Sequence, residues 1–595
     1  MPLYKWKFVT NFTMHSPLRI PMRLIFRYIR PFLALALLAP LCVLAEVVAE
    51  VCQPDLMARI VDDGIIGRNA EILFPTSLKM LSLMLIGFGG GLVSIYAAAK
   101  VSYGMGANLR ADLYAHVMRL SFADVDRLEA ASLITRMTDD VTRVQQVVQA
   151  SMRLLFRAPF LFFGAIVMVL SINTKVSVVI VSVMFISFSL ILWLMRLAFP
   201  RLMNVQRGRD ALTARVREIL VGIRVVKAYT NEPMELSRFD LANESLAHKA
   251  VWASRVSSWL MPVVTFAINM AVVLVLYFGA IEVGREQMGV GGIMATISYL
   301  AQIQMSLMMA SRVIESVTQA RASLSRIGEI LSTPTEEERD SLSPAGVGRA
   351  PFADGDVVFR NVSFAYPVGS SFRLTNVSFS IAQGRTLAIM GETGSGKSTI
   401  VSLLARFYDP LEGQVLIGGV DLRAIARSSF RSRVAVVSQS PSLFSGTFRH
   451  NLAMSNPSAS TDDMRQALAA AALADFVDSL PEGLDSRVEQ GGRNLSGGQR
   501  QRLCVARALV ARPALLVLDD SLSALDAATE RRVRAALASL PCTKVIVTQR
   551  VSVAMTADKI LLLANGRVED QGHHSELLER SLSYRQIFAS QSFQS

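Results

Sequence analysis

Six long apolar stretches, at approximately 31–54, 76–100, 153–173, 176–199, 256–283 and 291–314, dominate the first 315 residues of the chain. Each approaches the roughly 20 residues that an α-helix needs to cross a hydrocarbon core. Lipid offers no hydrogen bonds, so a segment of this kind must satisfy its own backbone groups, and a bundle of helices does so. Six crossings put both ends of the bundle on one side. The connections alternate in length and charge. The stretch 101–152 carries Arg110, Arg119, Arg127, Arg136 and Arg143, and 200–255 carries Arg201, Arg207, Arg209, Arg215, Arg217, Arg224 and Lys227, whereas 173–175 and 284–290 are short. Basic residues collect on the cytoplasmic side. The long loops and both termini are therefore expected in the cytoplasm, and the chain in the cell (inner or plasma) membrane as a multi-pass protein. The formal net charge of +13 has its explanation in these flanks, so no nucleic-acid partner is expected.

Upstream of the first apolar run lie Lys5, Lys7, Arg19, Arg23, Arg27 and Arg30. The run is too long for a signal-peptide core, which makes it a retained membrane helix. Cys42, Cys52, Cys504 and Cys542 show no metal-ligand or redox spacing, and no disulfide framework is expected.

The long loops read as helices in GANLRADLYAHVMRL (106–120) and ALTARVREILVGIRVVKAY (211–229), so the membrane helices should continue into the cytoplasm. Near their turns, FADVDRLEA (122–130) and TNEPMELSRF (230–239) are candidates for short helices that touch another domain, or are plain loop tips. A composition break follows at LSTPTEEERDSLSPAGVGRAPFADG (331–355), rich in Pro, Ser, Gly and charge, as in an exposed linker. Beyond it, β-rich runs such as RTLAIMG, VAVVSQ, ALLVLDD and KVIVTQR alternate with helical patterns, the rhythm of an α/β domain with a largely parallel sheet. The expected organisation is a cytoplasmic segment 1–30, an all-α six-helix transmembrane domain 31–330, a linker 331–354 and an α/β phosphate-loop domain 355–595.

The strongest motif is Gly391-Glu-Thr393-Gly394-Ser395-Gly396-Lys397-Ser398, followed by Thr399, between a strand (387–390) and a helical run. That context is the one in which GxxxxGK[ST] binds phosphates: glycines let backbone N–H groups approach the oxygens, and the helix N-terminus adds positive potential. Lys397 is expected to reach the β- and γ-phosphates and Ser398 to ligate Mg²⁺. The apolar run 514–518 ends in Asp519, a carboxylate placed to hold the Mg²⁺ shell. Leu495-Ser496-Gly497-Gly498-Gln499 lies 20 residues before that strand and opens a helical run.

Taken together, GETGSGKST, Gln439, LSGGQ, LLVLDD and SALD (523–526) resemble the ATP-binding cassette domain, and the six-helix region resembles the membrane domain of ABC exporters. The resemblance covers nearly the whole chain. It implies ATP and Mg²⁺ as cofactors, Tyr366 stacked on adenine, and Gln439 beside the Mg²⁺ and γ-phosphate. It also implies two cassettes meeting head to tail, each nucleotide lying between one chain's phosphate loop and the other chain's LSGGQ. The two loop-tip helices would be coupling helices, the first against its own cassette or the shared surface of the pair, the second reaching the partner cassette.

Two positions depart from that family's pattern. Where the family has Glu after the Mg²⁺ aspartate, this chain has Asp520, and where it has His after the next strand, this chain has Gln549. Asp is one methylene shorter, which leaves its carboxylate roughly 1.5 Å short. A neutral amide hydrogen-bonds but cannot carry the proton or charge of an imidazole. Two departures beside an intact phosphate loop and an unchanged Ser496–Gln499 resemble the degenerate-site subunit of bacterial heterodimeric multidrug exporters. The expectation is a site that binds ATP and turns it over poorly, with a homologous half-transporter as partner and hydrophobic or amphiphilic compounds as cargo. A membrane regulatory or channel-like protein using ATP as a switch, and an exporter-shaped uptake transporter, are the alternatives.

In the first membrane helix Cys42, Glu46, Glu50 and Gln53 share one face. Ionisable groups at membrane depth are functional by default. Glu46 and Glu50 are read as lining a translocation cavity that favours cationic amphiphiles, or as a structural contact between helices, or as part of a helix end near the headgroups. Ser298, Gln302, Ser306 and Met309 form a milder stripe in the sixth helix, and Gln302 is placed with the cavity.

Overall fold

The computed structural model describes residues 19–342, 350–366 and 373–592; parts of the expected segment 1–30 and linker 331–354, namely 1–18 and 343–349, lie outside them. Two compact units result, one formed by the chain up to Leu113 with Thr135–Glu329, the other by Tyr114–Ile134 with Ile330 onward.

The first unit is helical. Six long helices, α1 Leu33–Arg59, α2 Ala70–Val117, α3 Val141–Ile172, α4 Thr174–Val221, α5 Leu260–Gly284 and α6 Val290–Ser332, cover the six apolar stretches almost end to end. Among the described residues, four helical segments are long and apolar enough to cross a membrane: Leu24–Ile66, Ala70–Val117, Ala130–Ile172 and Glu232–Gly284. Several side chains of α4 and α6 lie outside the described residues.

The core repeats every four residues. Val43, Val47 and Val51 of α1 pack with Leu161, Ala165 and Val169 of α3, Val176 and Ile180 of α4, Ala271 and Val275 of α5, and Ala295, Tyr299 and Ile303 of α6. Residues four apart stack on one face of a helix, so each row forms a continuous ridge. The opposite faces carry exposed Phe74, Phe88, Phe185 and Phe266, an outer surface suited to lipid and ill suited to water. Gly90 lets α2 press against α1: a Cβ there would stand 3.0 Å from the Cys42 carbonyl oxygen, the small-residue approach common between membrane helices.

Pro54 shapes α1 in a further way. Lacking an N–H, it leaves the carbonyl of Glu50, four residues earlier, without its helical donor. Gln302 Nε2 of α6 supplies that bond at 3.1 Å, and Tyr299 Oη donates to the Val51 carbonyl at 2.9 Å. A freed carbonyl in hydrocarbon is costly, and a neighbouring helix satisfies it.

The second unit is built on two sheets. Six strands, β1 Thr386–Gly391, β2 Val434–Val437, β3 Leu515–Asp519, β4 Thr543–Val547, β5 Lys559–Ala564 and β6 Arg567–Gly572, run in the order β6-β5-β1-β4-β3-β2, parallel except for the edge strand β6. A four-stranded antiparallel sheet, in the order Arg373–Ile381, Val357–Ala365, Glu412–Ile417, Val420–Asp421, lies beside it in the same unit. Within β3, Leu515 and Val517 join one core and Leu516 and Leu518 the other. A strand buried on both faces reads as an unbroken apolar run, as ALLVL does.

Of the two loop-tip helices, Phe122–Leu128 begins at Ser121, whose hydroxyl accepts from the Asp124 N–H at 3.2 Å. It belongs to the second unit. Phe122 stacks on Phe407 with centroids 4.2 Å apart, and Tyr408 donates to Asp126. The other tip, at 230–239, opens the helix Glu232–Ser257, and Val221 and Tyr229 beside it are 83% and 80% exposed. The segment read as an exposed linker contains the helix Glu336–Leu342. Glu336 is buried there and meets Arg431 at 2.7 Å, while Asp340 meets Arg427 at 3.0 Å. Glu336 and Asp340 of its acidic run are thus ion-paired with the domain that follows rather than simply solvated.

Candidate functional site

The phosphate loop occupies the turn between β1 and the helix Lys397–Leu404. Gly391, Gly394 and Gly396 have φ of 148°, 86° and 107°, left-handed backbone that glycine adopts without strain. A Cβ on Gly391 would also strike the Leu563 carbonyl. Lys397 Nζ donates to the carbonyls of Gly391 at 2.8 Å and Glu392 at 2.7 Å. Burial holds its ammonium below the usual lysine range, with Asp519 and Asp520 opposing that shift.

Strand parity aims Asp519. Leu515 and Val517 pack in the core that holds Ile400 and Leu404 of the phosphate helix. Asp519, two residues past Val517, keeps that side. Its carboxyl is 7% exposed and burial pushes it up, with the Ser398 hydroxyl and Lys397 opposing. Asp520 then leaves the strand with a φ of 46°, its N–H donating to the Val547 carbonyl at 3.1 Å. Asp tolerates left-handed backbone several-fold better than most side chains. Burial, then the neighbouring Asp519 charge, raises its carboxyl as well.

These groups surround one cleft of about 340 Å³, lined by Tyr366, Thr393, Gly394, Gly396, Lys397, Ser398, Thr399, Gln439, Asp519, Asp520 and Gln549. Eleven positions singled out in the sequence thus converge, although 183 residues separate Tyr366 from Gln549. Tyr366 Oη donates to Thr399 Oγ1 at 3.3 Å, and its ring meets Tyr408 edge-on at 5.3 Å. Gly391 and Ser395 do not line the cleft; Ser395 is 4% exposed, its hydroxyl without a hydrogen-bond partner among the described residues. Hard oxygen donors from Ser398, Gln439 and Asp519 suit Mg²⁺, which would neutralise charge on bound phosphates.

Ser496, Gly497, Gly498 and Gln499 are not part of this cleft. They open the helix Gly497–Val510 with a capping box: Ser496 N–H donates to Gln499 Oε1 at 2.8 Å, and Gln499 N–H to Ser496 Oγ at 3.3 Å. Ser496 and Gly497 are exposed. Free N–H groups at an exposed helix start favour anions.

Sequence reasoning missed Arg550 and Glu530. Glu530, buried in the helix Ala527–Ala538, pairs with Arg550, whose Nη2 also donates to the Ser523 carbonyl at 3.0 Å. One guanidinium therefore ties the loop of Gln549 to the loop after Asp520. Adjacency to Gln549 was the available signal for Arg550.

In the helical unit, Glu46, Glu50 and Gln53 face a cleft of about 570 Å³ between α1 and α2, with Met84, Phe88 and Arg153. Gln302 is not among its lining residues. Both carboxylates are also held from α3: Arg157 pairs with Glu46 and, at 2.8 Å, with Glu50, while Arg153 lies 3.8 Å from Glu46. Cavity lining and interhelical contact thus coexist, and the guanidiniums offset the acidic charge. The signal missed was the matching i, i+4 spacing of Arg153 and Arg157. Removing one partner of a poorly solvated pair strands the other charge, at a cost of about 3–5 kcal/mol. Arg157→Leu should lower the thermal unfolding midpoint in detergent, and adding Glu46→Gln should recover part of the loss; an unchanged midpoint contradicts the pairing.

Comparison with known proteins gives concordant matches. Residues 36–307 match the family pattern of the ABC transporter transmembrane region, and 374–523 that of the ABC transporter. The chain is 36% identical to the ABC transporter ATP-binding protein YfiB of Bacillus subtilis, over 95% of this chain and 97% of that one. It is 33% identical to the ABC transporter ATP-binding protein Rv1273c of Mycobacterium tuberculosis, over 96% and 98%. It is also 30% identical to the ATP-dependent lipid A-core flippase of Thiobacillus denitrificans, over 95% and 97%.

Proposed function

This chain belongs to the ABC transporter family, with membrane region and ATP-binding cassette in one polypeptide, and on that premise we propose that it is one half of a heterodimeric exporter whose own ATP site is hydrolytically weak. The observation that carries this reading is the composition of one cleft. Lys397, Ser398 and Asp519 stand in it with the chemistry for binding Mg·ATP, beside a shortened Asp520 and a neutral Gln549. Ser496–Gln499 lie apart from that cleft on a solvent-facing helix start. They are available to a nucleotide held by another chain.

On this reading each residue has a role. Backbone N–H groups of the phosphate loop and Lys397 bind the phosphates, Tyr366 offers a ring to the base, and Gln439 and Gln549, which line the same cleft, serve the terminal phosphate. Ser398 and Asp519 hold Mg²⁺. Asp520 is the group nearest to a water-activating role, and its short side chain limits it. The exposed apolar tip around Val221 and Tyr229 supports docking of a second half-transporter.

For the cargo, the support is the flippase likeness together with the cleft of Glu46, Glu50 and Arg153 open beside apolar α2. An amphiphile with a polar head and an apolar body matches both. We place the cassette and both termini in the cytoplasm, on the charge of the long loops. Transport tests the reading: in vesicles holding this chain and its partner, a fluorescent amphiphilic lipid should move only with hydrolysable ATP. A conductance or a partner's activity responding to ATP, without net movement of any amphiphile, would favour the switch or channel alternative.

A further inference from the structure

The loop that carries Gln549 is held from behind by the far end of the chain. The helix Leu582–Ser592 docks through Tyr584, Ile587 and Phe588, which pack on a core containing Val551 and Ala554. Those positions are spaced i, i+3, i+4, and Gln591 falls at i+7, the next place on the same half-buried stripe. An apolar residue would continue the stripe. Gln591 instead spends its amide on the loop: Nε2 donates to the Gln549 carbonyl at 2.8 Å, and Oε1 accepts from the Val551 N–H at 2.8 Å.

Both loop groups need such a partner. Val551 is the first residue of the helix Val551–Ala554, so its N–H has no acceptor within the helix, and Arg550 at the N-cap supplies no side-chain cap. A planar amide that takes the carbonyl of one residue and the N–H of the second residue after it fixes the two peptide units between them. Upstream, Thr548 N–H is fixed by the Ile389 carbonyl at 3.1 Å. Gln549 is thereby held on both sides, and a residue 42 positions later joins the Arg550 contacts in fixing the loop from which its side chain enters the nucleotide cleft.

We propose that Gln591 is a positioning residue for the nucleotide site, holding the Gln549 loop at the height where its side chain meets the terminal phosphate of ATP. This rests on the reading that Gln549 approaches that phosphate. It deepens that reading by making the C-terminal helix part of how the site tells ATP from ADP. A helix that only stabilised the cassette would affect both nucleotides alike, because ADP lacks the group that Gln549 is placed to contact.

The test is competition of Mg·ATP and Mg·ADP against a fluorescent ATP analogue, on the full chain in lipid nanodiscs. Gln591→Ala should lower the preference for ATP over ADP about tenfold, the scale of one or two hydrogen bonds, with ADP affinity unchanged. Gln591→Glu should lower it at least as far, since a carboxylate oxygen would face the Gln549 carbonyl. Gln549→Ala is the control and should lower the preference by itself. If it does and both Gln591 variants keep the wild-type preference, or lose ATP and ADP equally, the positioning role is overturned. If Gln549→Ala leaves the preference intact, the reading of Gln549 falls first and the proposal with it.

Discussion

Asp520→Glu together with Gln549→His should raise ATP hydrolysis by homodimers of this chain about 100-fold, the scale on which a misplacement near 1 Å acts on rate. Burial and the Asp519 charge push the Asp520 carboxyl upward. On the proposed reading the limit is reach, and one methylene restores it. Glu at a φ of 46° carries more backbone strain than Asp, about 1 kcal/mol, so part of the gain is offset unless the loop relaxes. Gln549→His alone should gain little, because a proton-carrying ring has nothing to assist while the carboxylate stays short. Asp520→Glu alone should recover most of the effect. In the double variant Lys397→Ala should abolish the gain, since the phosphates must be held for either group to act.

A second large effect is expected from outside the nucleotide cleft. Ser496→Arg should reduce ATP hydrolysis by the proposed heterodimer about 100-fold or more, the usual result of removing an oriented donor from a developing charge. The capping box shows why the position is sensitive. Ser496 and Gln499 hold each other through both backbone N–H groups, so the exposed helix start is already formed before any nucleotide reaches it. Arginine would fill the space in which the proposed partner-held phosphate sits, and would break that box. The substitution lies outside the cleft of Lys397, so ATP binding to this chain's own phosphate loop should persist. Equal loss of binding at both sites would show that the variant had damaged the fold.

Much of this architecture is legible in the chain because its decisive signals are local. GETGSGKST lies between a strand and a helix, and ALLVLDD is a strand whose parity aims Asp519; such patterns survive in any short window. The six apolar stretches are equally local, and each became a long helix. What escaped the sequence depends on pairing across distance. Arg153 and Arg157 mean little until α3 is set beside α1, where they meet Glu46 and Glu50. Gln302 reads as a cavity residue until Pro54 is seen to free the carbonyl it bonds. The acidic run beginning at Glu336 resembles a solvated linker until Arg427 and Arg431 are placed opposite it. Gln591, near the end of the chain, gives no sign of Gln549 in its neighbourhood.

If this chain binds ATP at a site that scarcely hydrolyses it, ATP turnover by the wild-type chain, purified alone in lipid nanodiscs and set beside Lys397→Ala, should be slow in both. Mg·ATP should be bound by the wild type and lost from the variant. Rapid hydrolysis by the wild-type homodimer that collapses on Lys397→Ala would contradict that reading.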